Sequence, residues 1–320
     1  MEQKRTIIEC RQVDKTFVTP KGDVPVVRDF HMQAGENELV ALFGPGQCGK
    51  TTIINMIAGL EHVTKGEVYV NGTLVDKPGP ERGVVFQNIN LFPWLTTMGN
   101  VEYGLKMAGV PKAERRARAQ KYIDLVGLQG FENSYPNQLS GGMSQRVMIA
   151  MAMSCNPQLL IADEPTTALD VTIQAQIMDL MRELKEKMNT AIILVTHDLG
   201  VVANFADRIQ VMYAGQVVER GTAREIFYDS KHPYTWALLS SVPKLAKESK
   251  QELYALKGTP PDLILPLNHC PFASRCEYCM PICKEKNPLE TTITDTHRVS
   301  CWLQHPNAPK VKSFYDREAK

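Results

Sequence analysis

The sequence has neither a long apolar run nor an excess of charge of one sign. No apolar run approaches the ~18 residues that a membrane-spanning helix needs. The first ten residues, MEQKRTIIEC, lack the apolar stretch of a signal peptide. Lys and Arg together number 36 and Asp and Glu 35, which leaves a net charge of +1. Proteins that bind nucleic acid mainly through bulk charge are strongly basic, so this balance argues against a nucleic-acid partner.

Cysteine is scarce over most of the chain and crowded near its end. Cys10, Cys48 and Cys155 precede residue 270, whereas five cysteines lie between residues 270 and 301. Cysteines without a secretory signal indicate reduced thiols or metal ligands rather than disulfides. A length of 320 residues predicts about two domains, and the charged segment 241–261 is a plausible boundary. We therefore expect one domain over residues 1–245 and a second over residues 246–320.

Short apolar runs alternate with helical patterns along the first 240 residues. Strands are predicted at residues 38–43, 66–70, 84–86, 159–162 and 191–195. Helices are predicted at residues 51–60, 112–126 and 172–188, and residues 208–219 are typical of a hairpin. Such alternation indicates an α/β fold in which helices cover both faces of a mainly parallel sheet.

A phosphate-binding pattern, G-x-x-x-x-G-K-[ST], occurs at residues 44–51 (GPGQCGKT) between a predicted strand and a predicted helix. Backbone N–H groups of such a loop, with the positive end of the following helix, point at phosphate oxygens. We expect Lys50 to reach the β- and γ-phosphates and Thr51 to ligate Mg²⁺. The other predicted nucleotide contacts of this segment are Gly44, Gly46, Cys48, Gly49 and Thr52. The alternative, a chance glycine turn, is disfavoured by the strand–loop–helix context.

Two acidic residues, Asp163 and Glu164, follow the apolar run LLIA. Because ionised carboxylates are costly to bury unpaired, a metal and a reacting water would explain the pair. Asp163 is expected to hold Mg²⁺, and Glu164 to act as general base toward the water. Gln87 and His197 also follow apolar strands, where ligands of parallel sheets bind, and His197 could hydrogen-bond a γ-phosphate. Taken singly, these residues also suit a solvated strand end or a structural histidine.

A second candidate phosphate-binding helix begins in the segment LSGGM, residues 139–143. Ser140 is placed as its N-cap, and Gly141 and Gly142 expose its first N–H groups. Since the chain has a phosphate loop of its own, we expect this terminus to bind the ATP of a second molecule. With this segment the sequence resembles the ATP-binding subunits of ABC transporters. Their motifs follow here in the family's order: phosphate loop, Gln87, LSGGM, LLIADEP, TALD at residues 167–170, and His197.

The resemblance implies a P-loop ABC nucleotide-binding domain, with an antiparallel β part and a helical subdomain over about residues 89–157, followed by a small cysteine-rich C-terminal domain. It implies that ATP and Mg²⁺ bind in a head-to-tail dimer with a second ATP-binding subunit. Phe17 then stacks on adenine, and Asp170 contacts the partner across the dimer. The implied catalytic residues are Lys50, Gln87, Glu164 and His197. The implied Mg²⁺ ligands are Thr51, Gln87 and Asp163.

The resemblance also implies the ATPase of an importer, peripheral at the cytoplasmic face of the cell membrane. Its partners would be two transmembrane permease subunits and an extracytoplasmic substrate-binding protein. Residues 136–243 resemble dipeptide and oligopeptide importer ATPases, whereas residues 80–103 resemble nitrate, sulfonate and taurine importer ATPases. Peptides are the first expected substrate, and small anions or nickel complexes are alternatives. A soluble ABC ATPase and a metal-sensing module are lower-ranked alternatives.

Gln47 departs from the family, which usually has glycine at that position of the phosphate loop. Because Gly46 stands where the family commonly has serine, we expect the glycine to be displaced by one residue. A weakened or altered nucleotide site is the alternative to full activity.

The cysteine-rich tail carries a second candidate site. Cys270, Cys276, Cys283 and Cys301 resemble the C-terminal extension of the peptide-importer ATPases, where such cysteines can hold a [4Fe-4S] cluster. Four thiolates suit either an iron–sulfur cluster or Zn²⁺. Free thiols in a small, loop-rich cap are the remaining alternative, and Cys279 has no assigned role.

Overall fold

The computed structural model describes residues 5–20, 22–167, 169–241, 256, 258–261 and 268–312. Its strands, in chain order, are β1 (Thr6–Thr19), β2 (Gly22–Gly35), β3 (Leu39–Phe43), β4 (Lys65–Val70), β5 (Thr73–Leu74), β6 (Arg82–Val85), β7 (Leu159–Asp163), β8 (Ala191–Thr196), β9 (Arg208–Tyr213), β10 (Gln216–Thr222), β11 (Thr291–Thr292) and β12 (Arg298–Val299). Its α-helices are α1 (Lys50–Ala58), α2 (Thr97–Val101), α3 (Tyr103–Met107), α4 (Lys112–Leu125), α5 (Gly141–Met153), α6 (Val171–Met188), α7 (Leu199–Phe205), α8 (Ala223–Tyr228), α9 (Pro233–Ser240) and α10 (Pro281–Glu285). Within these residues no helix combines the length and the apolarity that crossing a membrane requires.

The larger sheet has the strand order β11-β12-β10-β9-β3-β8-β7-β6. Strands β9, β3, β8, β7 and β6 run parallel, and β10, β12 and β11 are added in antiparallel pairs. Every residue of β3, β7 and β8 is buried, as expected for parallel strands covered on both faces. The predicted mainly parallel sheet is confirmed, and the predicted strand and helix centres coincide with the observed elements.

The smaller sheet is antiparallel, with the order β2-β1-β4-β5. Alternate residues of its strands, such as Ile8 and Phe30, pack with Ile57 of α1 and with Leu42 and Ile161 of the larger sheet in one hydrophobic core. This core joins the two sheets around α1. The end of β3 and the start of α1, which bracket the phosphate loop, are therefore held from both sides.

The helices α2 to α5 lie between β6 and β7 and inside the predicted subdomain of residues 89–157. A second core joins them to the opposite face of the larger sheet, through residues such as Val101, Ile123, Val147 and Leu160. Residues 159–162 alternate between the two cores, because successive side chains of a strand point to opposite faces.

The described part of the cysteine-rich tail adds two strands to the larger sheet. Strand β12 pairs with β10, opposite Glu219 and Arg220. Phe272 and Cys270 share a third core with Phe43 and Tyr213 of the larger sheet. A separate cysteine-rich C-terminal domain is not shown by the described residues, and the division into residues 1–245 and 246–320 stays a prediction. The boundary predicted at residue 245 falls among residues 242–255, outside the described part of the chain.

Candidate active site

The phosphate loop runs from the end of β3 to the start of α1 and depends on two close backbone approaches. A Cβ on Gly44 would lie 2.5 Å from the carbonyl oxygen of Met212 in β9. Gly49, the N-cap of α1, has φ +97°, and a Cβ there would lie 3.0 Å from the carbonyl oxygen of Val26. Both positions therefore require glycine. The first N–H groups of α1 have no partner within the helix, so they can point at phosphate oxygens.

Gln47 occupies the left-handed region, with φ +61°, and its side chain is exposed. This conformation favours glycine, because a Cβ crowds the following carbonyl oxygen at a cost of about 1–2 kcal/mol. Gly46 has open space around its missing Cβ and no positive φ. The left-handed conformation, which favours glycine, therefore occurs at residue 47 and not at residue 46. The structure does not support the expectation that Gly46 takes the place of the loop's glycine.

Lys50 lies at the first position of α1 and is buried. Its Nζ donates to the carbonyl oxygens of Gly44, at 2.9 Å, and Pro45, at 2.7 Å. The ammonium is thus held inside the loop, where phosphate oxygens would approach. Cys48 is also buried, and its Sγ lies 3.8 Å from that Nζ. Burial raises the pKa of the Cys48 thiol, which favours its neutral form.

Asp163 ends β7 beside the start of α1. Its Oδ2 lies 3.4 Å from the Thr51 hydroxyl, which donates to it. Burial, and then the charge of Glu164, raise the pKa of the Asp163 carboxyl, so a cation here would stabilise its ionised form. A carboxylate and a hydroxyl are oxygen ligands of the kind that Mg²⁺ prefers. These two residues therefore suit the predicted metal.

Glu164 contacts two of the other predicted catalytic side chains, Gln87 and His197. Gln87 Nε2 donates to Glu164 Oε2 at 3.2 Å, and His197 Nδ1 lies 3.3 Å from Oε1. The Thr167 hydroxyl donates to Oε2 at 3.0 Å. Gln87 thus contacts the predicted base, and its role as a metal ligand stays a prediction. Sequence reasoning missed Thr167, although its position three residues after Glu164 places it in the same turn.

The LSGGM segment lies apart from these contacts, at the start of α5. The Ser140 hydroxyl accepts a hydrogen bond from the Met143 N–H at 3.3 Å, which is the predicted N-cap. Gly142 packs against Ile173 of α6, where a Cβ would come within 2.8 Å of Cγ2. Asp170 accepts from the Ile173 N–H at 2.9 Å and so caps α6. Ser140, Gly141 and Asp170 are exposed, and the polar ends of α5 and α6 therefore face outward together.

Phe17 lies on β1 and is half-buried. Lys15 Nζ is 4.7 Å from the centroid of the Phe17 ring and also donates to Glu61 Oε1 and to the His62 carbonyl oxygen. One face of the ring is thus covered by a cation, a favourable arrangement. Stacking of adenine on Phe17 stays a prediction and would use the other face.

Two of the tail cysteines lie together in the third hydrophobic core. Cys270 and Cys283 share the third core, and Cys270 N–H donates to the Cys283 carbonyl oxygen. Burial raises the pKa of Cys270 to about 11 and that of Cys276 to about 12, with neighbouring thiols adding to the effect. Burial likewise raises the pKa of Cys301. Among the residues that the structure describes, no group of three or more His, Cys, Asp or Glu side chains is arranged to hold a metal ion.

Comparisons with known proteins bear on both parts of the chain. A family model described as "ABC transporter" matches residues 27–167, and one described as "Oligopeptide/dipeptide transporter, C-terminal region" matches residues 218–283. The oligopeptide transport ATP-binding protein OppD of Bacillus subtilis is 44% identical, over 96% of this chain and 91% of the relative. The dipeptide transport ATP-binding protein DppD of Lactococcus lactis is 39% identical, over 95% of this chain and 93% of the relative.

A solved structure is also similar to this chain. It is a dimeric ATP-binding cassette in a post-hydrolysis state, bound to ADP and Pi. It is 33% identical and superposes with a TM-score of 0.61, over 68% of this chain and 99% of its own. The alignments with OppD and DppD extend over nearly the whole chain, so they are not confined to the half that resembles peptide-importer ATPases.

Proposed function

This chain belongs to the ABC transporter family, among its oligopeptide and dipeptide transport ATP-binding proteins, and we propose that it hydrolyses ATP to drive peptide import through separate membrane subunits. The observation that carries the proposal is the convergence of Gln87, Thr167 and His197 on Glu164, next to Asp163 and the phosphate loop. Identity of 38–44% to several peptide-transport ATP-binding proteins supports the substrate class.

The site residues have distinct roles in this proposal. Lys50 and the loop N–H groups bind the β- and γ-phosphates, and Thr51 and Asp163 hold Mg²⁺. When bound, Mg²⁺ neutralises charge on the phosphate oxygens. Glu164 accepts a proton from the attacking water, and His197, whose side chain is 64% exposed, is free to reach the γ-phosphate. These residues lie at or just after the carboxyl ends of β3, β6, β7 and β8, where parallel sheets bind ligands.

A second ATP-binding subunit completes the site. The start of α5 presents the N–H groups of Gly141 and Gly142, which have no hydrogen-bond partner among the described residues and so form a suitable anion site. The described contacts do not bring this helix start to the chain's own phosphate loop. In a head-to-tail dimer the ATP bound by a partner subunit would accept these N–H groups, and Asp170 would lie at the shared face. The related cassette bound to ADP and Pi is itself dimeric.

The permease subunits have a suitable docking surface in the segment after Gln87. Ile89, Trp94 and Met107 expose 44%, 70% and 62% of their surface, and the Trp94 ring contacts the Phe92 ring at a tilt of 48°. Exposed apolar clusters of this kind mark protein interfaces. Docking here would place the chain at the cytoplasmic face of the membrane, with an extracytoplasmic binding protein supplying the peptide.

An iron–sulfur cluster or Zn²⁺ on the tail cysteines stays a prediction. The mutual proximity of Cys270, Cys276, Cys283 and Cys301 supports it, whereas the arrangement of their thiols does not match a metal centre. Anaerobic purification followed by iron, sulfide and zinc analysis tests it directly. A protein that contains none of the three would leave the tail cysteines as free thiols.

The decisive experiment for the enzymatic role is the variant Glu164→Gln in the complex with its permease subunits. ATP binding should be retained, while turnover falls about 100-fold or more. Glu183→Gln, an exposed carboxylate of α6 paired with Lys187, is the matched control and should turn over normally. Unchanged turnover in Glu164→Gln would refute the assigned base. Uptake of labelled peptides, compared with nitrate and with a nickel complex, tests the substrate class.

A further inference from the structure

Thr167 makes two hydrogen bonds to the residue proposed as general base. Its hydroxyl donates to Glu164 Oε2 at 3.0 Å, and its backbone N–H donates to the Glu164 carbonyl oxygen at 3.1 Å. The second bond closes a tight turn directly after β7. The first ties the carboxylate to that turn, so the position of the carboxylate depends on a side chain only three residues away.

The two carboxylate oxygens of Glu164 have different surroundings. Oε2 accepts from both Gln87 Nε2 and the Thr167 hydroxyl, at 3.2 and 3.0 Å. Two acceptor directions are available on such an oxygen, so Oε2 is fully occupied. Oε1 has His197 Nδ1 at 3.3 Å and keeps one acceptor direction. The oxygen that can take a further proton donor is therefore Oε1.

The main chain at Glu164 is also constrained. Its φ is +45°, a region that non-glycine residues rarely adopt and that recurs at functional sites. The Glu164 N–H donates to the Val195 carbonyl oxygen at 2.9 Å, which anchors this conformation to β8. With the backbone held, the remaining freedom of Glu164 lies in its side-chain torsions. Thr167 and Gln87 restrict those torsions by holding Oε2.

We propose that Thr167 is a positioning residue that immobilises Oε2 of Glu164, so that Oε1, beside His197, receives the proton of the attacking water. In this step the water oxygen forms a bond to the γ-phosphorus. The bond from that phosphorus to the bridging oxygen breaks, its electron pair leaves with ADP, and the water proton goes to Oε1. The inference rests on the proposed ATPase function. It adds Thr167 to the residues of that mechanism and specifies which oxygen of Glu164 accepts the proton.

Kinetics of three threonine variants test the positioning role. Thr167→Val keeps the shape of the side chain but removes the donor, and we expect kcat to fall about 10-fold or more, with KM for ATP changed by less than about twofold. Thr167→Ser restores the hydroxyl and should restore most of kcat. Thr73→Val, at an exposed position of β5, is the control and should behave as the wild type.

A nucleotide-free measurement separates the hydrogen bond from a general effect on the loop. Thr167→Val should lower the denaturant midpoint of the wild-type chain, and the same substitution should have a clearly smaller effect in a Glu164→Ala background. An equal shift in both backgrounds would overturn the inference, as would a normal kcat in Thr167→Val or a failed rescue by Thr167→Ser. If Glu164→Gln is inactive while Thr167→Val is normal, this inference fails alone. If Glu164→Gln is fully active, the assignment of Glu164 as the general base is wrong, and the proposed mechanism fails with it.

Discussion

Replacing His297 by alanine should destabilise the whole fold, because it breaks a fully buried pair between the tail and the larger sheet. His297 Nε2 lies 2.8 Å from Glu219 Oε1, and both side chains are 0% exposed. Glu219 lies on β10 and also accepts the backbone N–H groups of Lys231 and His232. The pair thus joins a tail turn to the strand on which β12 is added.

The magnitude follows from what the substitution leaves behind. Removing one member of a buried pair typically costs about 3–5 kcal/mol, since the other charge stays buried without its partner. The two backbone donors remain on Glu219, so we expect a loss near the lower end, about 3 kcal/mol. Glu219→Gln keeps an acceptor oxygen for His297 and the same shape, so it should cost clearly less.

The assay is urea unfolding of His297→Ala, followed by tryptophan fluorescence and by loss of ATP binding. Because the tail shares a hydrophobic core with the larger sheet, both signals should shift together. His62→Ala, at an exposed position, is the control and should stay within about 0.5 kcal/mol of the wild type. A loss below about 1 kcal/mol in His297→Ala, or a shift in one signal alone, would refute the argument that the tail is built into the fold.

Three further outcomes are expected from single residues. Gln47→Gly should raise the unfolding temperature and add up to about 1 kcal/mol, because glycine accepts the left-handed φ without the crowding of a Cβ; a lower unfolding temperature would contradict the strain at this position. Tyr234→Phe should also stabilise the protein, by about 1 kcal/mol, since the buried Tyr234 hydroxyl has no hydrogen-bond partner among the described residues; a loss of stability would mean that the hydroxyl is satisfied. Burial opposes the ionisation of Glu225, but the Thr294 and Thr296 hydroxyls and a backbone N–H outweigh it and lower its pKa from 4.5 to about 2. Its stabilising effect should therefore be complete above about pH 4.5 and disappear as the pH falls through about 2, so the stability difference between the wild type and Glu225→Gln should close over that range; a constant difference would disprove it.

Much of the site could be predicted because its residues are close in sequence and follow simple rules. Residues 44–51 form one loop, and Asp163 and Glu164 end one strand, so local patterns identify them. Gln87 and His197 were predictable for a different reason, since the carboxyl ends of neighbouring parallel strands meet at one edge of a sheet.

Other features were not predictable, for physical reasons. The sequence places Gly46 in the loop, but the choice of which residue takes the left-handed conformation depends on how the loop meets α1 and β9. Five crowded cysteines suggested a tail with its own site. Two of them, Cys270 and Cys283, lie in one hydrophobic core with Tyr213 and Phe43, an association of residues far apart in the chain that no local pattern records.

The sequence by itself determined the chemistry: a phosphate loop, two carboxylates after a buried strand, and a helix start suited to a second phosphate group. These depend on residue type and short spacing, which the chain carries before it folds. Only the tertiary structure decided that Thr167 and Gln87 share one oxygen of Glu164 while His197 faces the other. It also decided that His297 is buried against Glu219, 78 residues away. Hydrogen-bond directions and burial are set by how strands and loops pack against one another, and they exist only in the folded chain.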